Sequence, residues 1–166
     1  MFTNTPLPQL LVADFTDPNG GSLAALTANR IYFAPLSLFT SFTITQMRCW
    51  LSGAPTGNVD MGIYDTAGTN NTPLNLLGHT GAIAAVTGSF TQNLIANLTL
   101  SPGAYWICWL DTVADSVQKV GGVGAGIGPW YVSNDSFSVL PNPLTGGVGD
   151  TGSRPTILAL RSGGYT

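Results

Sequence analysis

Glutamate is absent from this 166-residue chain, and lysine and histidine occur once each, as Lys119 and His79. All eight acidic residues are aspartate, and charged residues make up 8% of the chain, against about 25% in ordinary soluble domains. Glu and Lys normally cover exposed helix faces, so their scarcity argues against a helical protein. The net charge is −3 with the basic residues scattered, which leaves no electrostatic footprint for nucleic acid or an anionic membrane. No apolar run approaches the about 20 residues of a membrane-spanning helix. The opening Met1-Phe-Thr-Asn-Thr-Pro6 lacks a basic segment followed by an apolar one. No signal peptide is therefore expected, and synthesis in a cytoplasm without export follows.

Catalytic and metal signatures are equally scarce. Nucleophilic catalysis needs a Ser, Cys or Thr beside a general base. The lone His79 lies in a turn-like stretch and no Gly-x-Ser-x-Gly elbow is present. Distant aspartates can converge to hydrolyse glycosides, but nothing in the spacing selects a pair. Cys49 and Cys108 belong to no Cys-x-x-Cys pair and have no histidine company. They read as buried thiols or, alternatively, as a disulfide between adjacent strands, which a cytoplasm disfavours. Asp14, Asp17 and Asn19 faintly resemble a calcium loop, with the wrong spacing and no closing Glu. A type I turn at Asp17-Pro-Asn-Gly20 is the simpler reading. Gly121 to Gly128 lacks the Lys-Ser/Thr and following helix of a phosphate loop. The sequons at Asn70, Asn97 and Asn134 carry no weight without a secretory signal. The expectation is a protein that is not an enzyme and holds no cofactor and no metal.

Gly, Pro, Thr, Asn and Ser supply the polarity instead, the composition of strands joined by turns. Turn signals recur every 8–12 residues or so, the pattern of an antiparallel β-sandwich. Its centre is the stretch Leu100–Asp111, opened by Pro102-Gly103. Tyr105, Ile107 and Trp109 alternate with Trp106, Cys108 and Leu110, so both faces of this strand are apolar. A buried helix is the competing reading, and the aromatic content and Pro-Gly start favour strand. One face is expected in the core, the other under a loop or a neighbouring subunit.

Around it, residues 29–34 read as a strand stopped by Pro35, and Ser22 to Ala28 as one helical turn. Ser41 to Leu51 reads as a long strand mixed on both faces. Val59, Met61 and Ile63 alternate with Asp60, Gly62 and Tyr64 as a half-buried strand. Two short strands fall in 74–86 and another in 87–100. Trp130–Val132, Ser136–Val139 and Thr156–Arg161 complete the set. The domain organisation is an extended arm at 1–12, which docks as an edge strand or reaches a neighbour. A sandwich at 13–140 follows, then a Gly/Pro-rich loop, closing strand and tail at 141–166. Trp130 and Tyr131, an aromatic pair bracketed by loop sequence, are the one candidate interaction surface. The near-uncharged surface lowers the desolvation cost of association, so a homo-oligomer is expected.

Three stretches together carry a resemblance: Leu26-Thr-Ala-Asn-Arg-Ile-Tyr-Phe-Ala-Pro35, Val59-Asp-Met-Gly-Ile-Tyr-Asp65 and Leu98-Thr-Leu-Ser-Pro-Gly-Ala-Tyr-Trp-Ile107. Their order and spacing resemble a jelly-roll domain of bacteriophage virion proteins, over roughly residues 24–112. The resemblance implies a jelly-roll sandwich, self-association that is often trimeric, and a structural or receptor-binding role in the virion without catalytic residues. The chain has room for a globular unit and its arms but not for a shaft. A capsid-surface protein, either a decoration protein or a small jelly-roll shell protein bound to the major capsid protein, is therefore the leading expectation. A tail-fibre or tail-tip head, or a carbohydrate-binding module, recognising host glycan is the alternative.

Overall fold

The structure, a computed structural model, describes residues 10–13, 22–25, 27–114, 116–120, 130–132, 137–145, 148–150, 154–155 and 157–161. Among them are fourteen strands: β1 Leu10–Ala13, β2 Ser22–Ala25, β3 Ile31–Leu38, β4 Phe42–Ser52, β5 Asn58–Tyr64, β6 Leu76–His79, β7 Ile83–Ala84, β8 Gly88–Leu100, β9 Gly103–Asp111, β10 Ser116–Val120, β11 Trp130–Val132, β12 Val148–Asp150, β13 Arg154–Pro155 and β14 Ile157–Arg161. A single 3₁₀ turn at Thr69–Asn71 is the only helical element among the described residues.

Among the described residues every pairing is antiparallel, in two sheets. Sheet I runs β1-β14-β4-β10-β13, with β2 beside β10 and β8 beside β4; sheet II runs β12-β11-β3-β9-β5-β6, with β7 beside β5. From β3 to β5 and again from β7 to β11 the chain alternates between sheets, so each long strand meets its sequence neighbour across the sandwich rather than beside it.

The core between the sheets takes Tyr32, Leu36, Met61, Ile63, Ile107 and Trp109 from sheet II, and Ile44, Met47, Cys49, Leu51 and Leu94 from sheet I. A fully buried side chain of this kind contributes roughly 1.5–3 kcal/mol over its exposed state. The other face of sheet II carries a second cluster: Ile31, Phe33, Tyr64, Trp106, Cys108 and Leu110, capped by Leu140 and Leu144. The two alternating sets of β9 thus go to two different cores, as its sequence requires, and a loop covers the outer one. That loop, residues 137–145, runs as a strap across sheet II.

Several sequence expectations are corrected. Ser22–Ala25 is strand, paired with β10 from Ser116↔Ala25 to Lys119↔Ser22, rather than a helical turn. β3 does not stop at Pro35 but continues to Leu38 along β9. Its pairing with β11 reaches only Tyr32 and Phe33. At Pro35 the strand therefore keeps β9 alone among its described neighbours, and a missing N–H is tolerated at such an edge. Phe137–Val139 begins the strap and is not strand. β5 is buried on both faces, not half-buried, because the strap covers Asp60, Gly62 and Tyr64.

The mixed pattern of β4 has a local cause. Register with β8 passes from Ile44↔Leu98 to Gln46↔Asn93, and register with β14 slips at the same point, from Leu160↔Gln46 to Arg161↔Ile44. Against β14, Thr45 is the extra residue, while against β8 residues 94–97 stand opposite Thr45 alone. An irregularity of this kind reverses which alternate side chains of β4 face the core. Phe42 and Ile44 point inward before it, Met47, Cys49 and Leu51 after it.

Residues 10–13 form the edge of sheet I against β14, so the described part of the arm docks on its own chain. β12, β13 and β14 build residues 148–150, 154–155 and 157–161 into the two sheets. Residues 1–9, the Asp17-Pro-Asn-Gly20 turn, the glycine run at 121–128 and the tail after 161 lie outside the described residues.

Cys49 is 4% exposed in the inter-sheet core and Cys108 is wholly buried in the outer cluster. Neither forms a disulfide. They lie in different sheets and different clusters, so a bridge would need the backbone to move. Burial pushes both thiols well up; Asp111 adds to this for Cys49 and Asp60 for Cys108, where the Gly62 amide offsets a little. The unfolded chain loses these protons first, so stability should fall as pH rises past the unfolded thiol value of about 8.5. At neutral pH, a thiol reagent should label the native protein far more slowly than the denatured one. Fast native labelling would contradict this placement.

Candidate interaction surface

The strap is tied to sheet II and the turns beside it by five hydrogen bonds that join distant parts of the chain. The Phe137 amide donates to the Asn29 carbonyl and the Leu144 amide to the Leu74 carbonyl. The Tyr64 hydroxyl donates to the Pro141 carbonyl, and the Leu76 amide to the Asn142 side chain at 3.2 Å. The fifth is from the Leu140 amide to Oδ2 of Asp60 at 3.3 Å. Asn29 adopts φ 60°, a left-handed conformation that Asn accepts more readily than most residues. There its own amide reaches the Asp111 carbonyl while its carbonyl takes the strap.

Asp60 is 1% exposed and collects three donors. Besides the strap amide, His79 Nδ1 lies 3.0 Å from Oδ2 and the Thr80 hydroxyl 3.3 Å from Oδ1. The His79 side chain is 28% exposed, so it links a buried carboxylate to solvent. An Asp–His pair is also the start of a catalytic relay, but no third member stands beside it among the described residues. The Thr80 hydroxyl bonds to the carboxylate rather than to the imidazole, and it accepts the Met61 amide at 3.0 Å. Among the described residues no Ser, Thr or Cys is bonded to His79. The cluster can hold the strap down through the Leu140 amide. His79, which reads in sequence as a turn residue, ends β6 opposite Gly62. Gly62 matters in turn because a Cβ there would lie 2.6 Å from Leu140 Cδ1 and 3.1 Å from the Gly78 carbonyl.

The neighbouring loop is braced by a second aspartate. Asp65 accepts the amides of Ala67 and Asn75 and the Asn75 side chain. Burial pushes its carboxyl up, but these hydrogen bonds outweigh that and hold it below the usual carboxylate range. Trp106, one strand away, donates from Nε1 to the Asn71 carbonyl at 2.8 Å and closes the same loop onto β9.

The outer face of sheet I is different in kind. It carries a ladder of cross-strand side-chain hydrogen bonds between β4 and β8: Thr43 with Thr99 at 2.9 Å, Gln46 Nε2 to Asn93 at 2.8 Å, and Arg48 Nε to Thr91 at 2.9 Å. Trp50 follows in the same alternation, opposite Ser89, and is 48% exposed. The Thr45 bulge puts these residues on one face by sending Met47, Cys49 and Leu51 to the other. Sequence reading that keeps strict alternation divides the face wrongly, placing Phe42 and Ile44 with Gln46, Arg48 and Trp50. A slip in the alternation at Thr45 is the signal that would have found it.

Trp130 and Tyr131 lie in β11, with Tyr131 opposite Phe33 of β3 and Trp130 opposite Asp150 of β12. Their side chains lie outside the described residues, as does the Asp14–Asn19 stretch. Among the described residues no group of three or more His, Cys, Asp or Glu is placed to hold a metal ion. Among the same residues no helix is long and apolar enough to cross a membrane. The comparisons found no protein-family profile, no curated protein and no solved structure that matches this chain.

Proposed function

We propose that this chain is a structural protein of a bacteriophage virion, placed at the capsid surface as a decoration protein or a small jelly-roll shell protein. One observation carries the reading. The three stretches that resemble the virion jelly-roll domain are dispersed over about half of the chain. They supply β3, β9 and β5, which lie side by side at the centre of sheet II. Their adjacency supports reading the likeness as that of one packed unit rather than of unrelated turns. The alternation of the chain between two antiparallel sheets supports a jelly-roll topology, and the low charge supports self-association, with a trimer as the expected form.

In this reading the protein stabilises the shell through contacts with its own copies and with the major capsid protein. Catalysis, nucleic acid and membrane play no part in this reading. The test is the copy number of the protein in purified particles, measured by quantitative mass spectrometry against the major capsid protein. A number that scales with the shell is expected. A number that matches the tail would replace this reading with the receptor-binding one, and absence from the particle would overturn both.

A further inference from the structure

We infer that the outer face of sheet I binds a saccharide, held by stacking on Trp50 and by hydrogen bonds to Gln46, Arg48, Thr91 and Asn93. The inference goes beyond the capsid reading and does not depend on it. Three features of the face lead to it.

First, the polar groups are fixed before any ligand arrives. Gln46 is tied to Asn93, and Arg48 to Thr91, by bonds of 2.8 and 2.9 Å, so little rotamer freedom remains to be lost on binding. Second, those bonds use only part of each group's capacity. The Gln46 carbonyl oxygen, the Asn93 amide nitrogen and both terminal nitrogens of the Arg48 guanidinium have no partner in these bonds. Planar amides and a guanidinium in fixed positions suit the vicinal hydroxyls of a sugar, or its carboxylate. Third, the half-exposed Trp50 indole ends the row. The negative face of an indole attracts the weakly positive C–H groups on one side of a pyranose ring.

Charge narrows the ligand class. Arg48 is the one ionic group among these residues, and among the described residues the only ion pair is His79–Asp60. A polyanion such as nucleic acid needs several cations along its track, and the chain has only five Lys and Arg in all. An apolar protein partner would leave the amide and guanidinium groups desolvated without partners. A saccharide, neutral or with one acidic sugar, satisfies both conditions. Gln46 and Trp50 are four residues apart, about 13 Å along the strand, so the site would take a short oligosaccharide rather than one ring.

The experiment is a glycan array of neutral and acidic oligosaccharides probed with the intact chain and with Trp50→Ala and Arg48→Ala. The wild-type protein should retain a subset of glycans, and each substitution should weaken that binding tenfold or more. Both side chains are exposed, so the variants should keep the wild-type circular dichroism and thermal midpoint. Acidic glycans alone losing affinity in Arg48→Ala would assign a sugar carboxylate to the guanidinium; equal loss for neutral glycans would assign hydroxyls. No glycan bound above background would overturn the inference, and so would binding that both variants retain. A shell copy number with no glycan binding would leave the capsid reading standing alone, so the two failures are distinguishable.

Discussion

Asp60→Ala should destabilise the protein by about 2–4 kcal/mol, although a single carboxylate is all that is lost. The argument starts from burial. Asp60 is 1% exposed, and of the donors aimed at it only the partly exposed His79 can turn to water in its place. The Leu140 amide loses its acceptor in a buried position, and a buried unsatisfied N–H costs about 1–3 kcal/mol. The Thr80 hydroxyl suffers less, because the Gly81 carbonyl lies 3.2 Å away as a second acceptor. His79 is partly solvated, so its lost pairing adds less than a fully buried ion pair would. The cost should concentrate on the strap. Amide exchange at Leu140 should accelerate more than exchange in β9, and the urea midpoint should fall. Tyr64→Phe, which removes only the hydroxyl bonded to Pro141, should cost about 1 kcal/mol and serves as the scale. If Asp60→Ala costs no more than Tyr64→Phe, the carboxylate is not what holds the strap.

This strap also marks where sequence reading ends. The central strand β9 was legible because its chemistry is local. A Pro-Gly turn followed by apolar residues at both alternations requires cover on both faces, and both covers are present. What would cover the outer face was not legible. The capping residues Leu140 and Leu144 are four apart with no strand or helix period around them, and their neighbourhood reads as a short strand and a loop. Asp60 failed for a related reason. In β5 it alternates with Val59, Met61 and Ile63 as a solvent-facing residue would. Only a segment about 80 residues later in the chain makes that face an interior. The outer face of sheet I was hidden by one residue, since the bulge at Thr45 reverses the alternation without changing composition. Trp130 and Tyr131 were singled out as an aromatic pair, and their side chains lie outside the described residues. Trp50, exposed beside fixed polar groups, is hidden in sequence because strict alternation groups it with Phe42 and Ile44.

Trp109→Ala should be the most damaging single substitution, at about 3–5 kcal/mol. Trp109 is wholly buried and is the largest such side chain in the core. It stands on β9 between Tyr32 of β3 and Met61 of β5, and it faces sheet I across the inter-sheet core. Truncation opens a cavity where both sheets meet, and strands paired on either side cannot collapse to fill it. One feature separates packing from polarity at this position. Among the described residues the indole Nε1 has no hydrogen-bond partner, so the native side chain already bears the cost of a buried donor, about 1–3 kcal/mol. Trp109→Phe removes that donor and keeps most of the ring volume. The two effects oppose each other, and the net change should be within about 1.5 kcal/mol of zero. Urea denaturation of both variants checks the pair of expectations: a large fall in midpoint for alanine and a small change for phenylalanine. Two losses of similar size would mean that Nε1 is satisfied in solution and that its hydrogen bond, as well as the ring, contributes to stability. A small loss for alanine would mean that the inter-sheet core repacks around a cavity, which the paired strands on either side of Trp109 oppose.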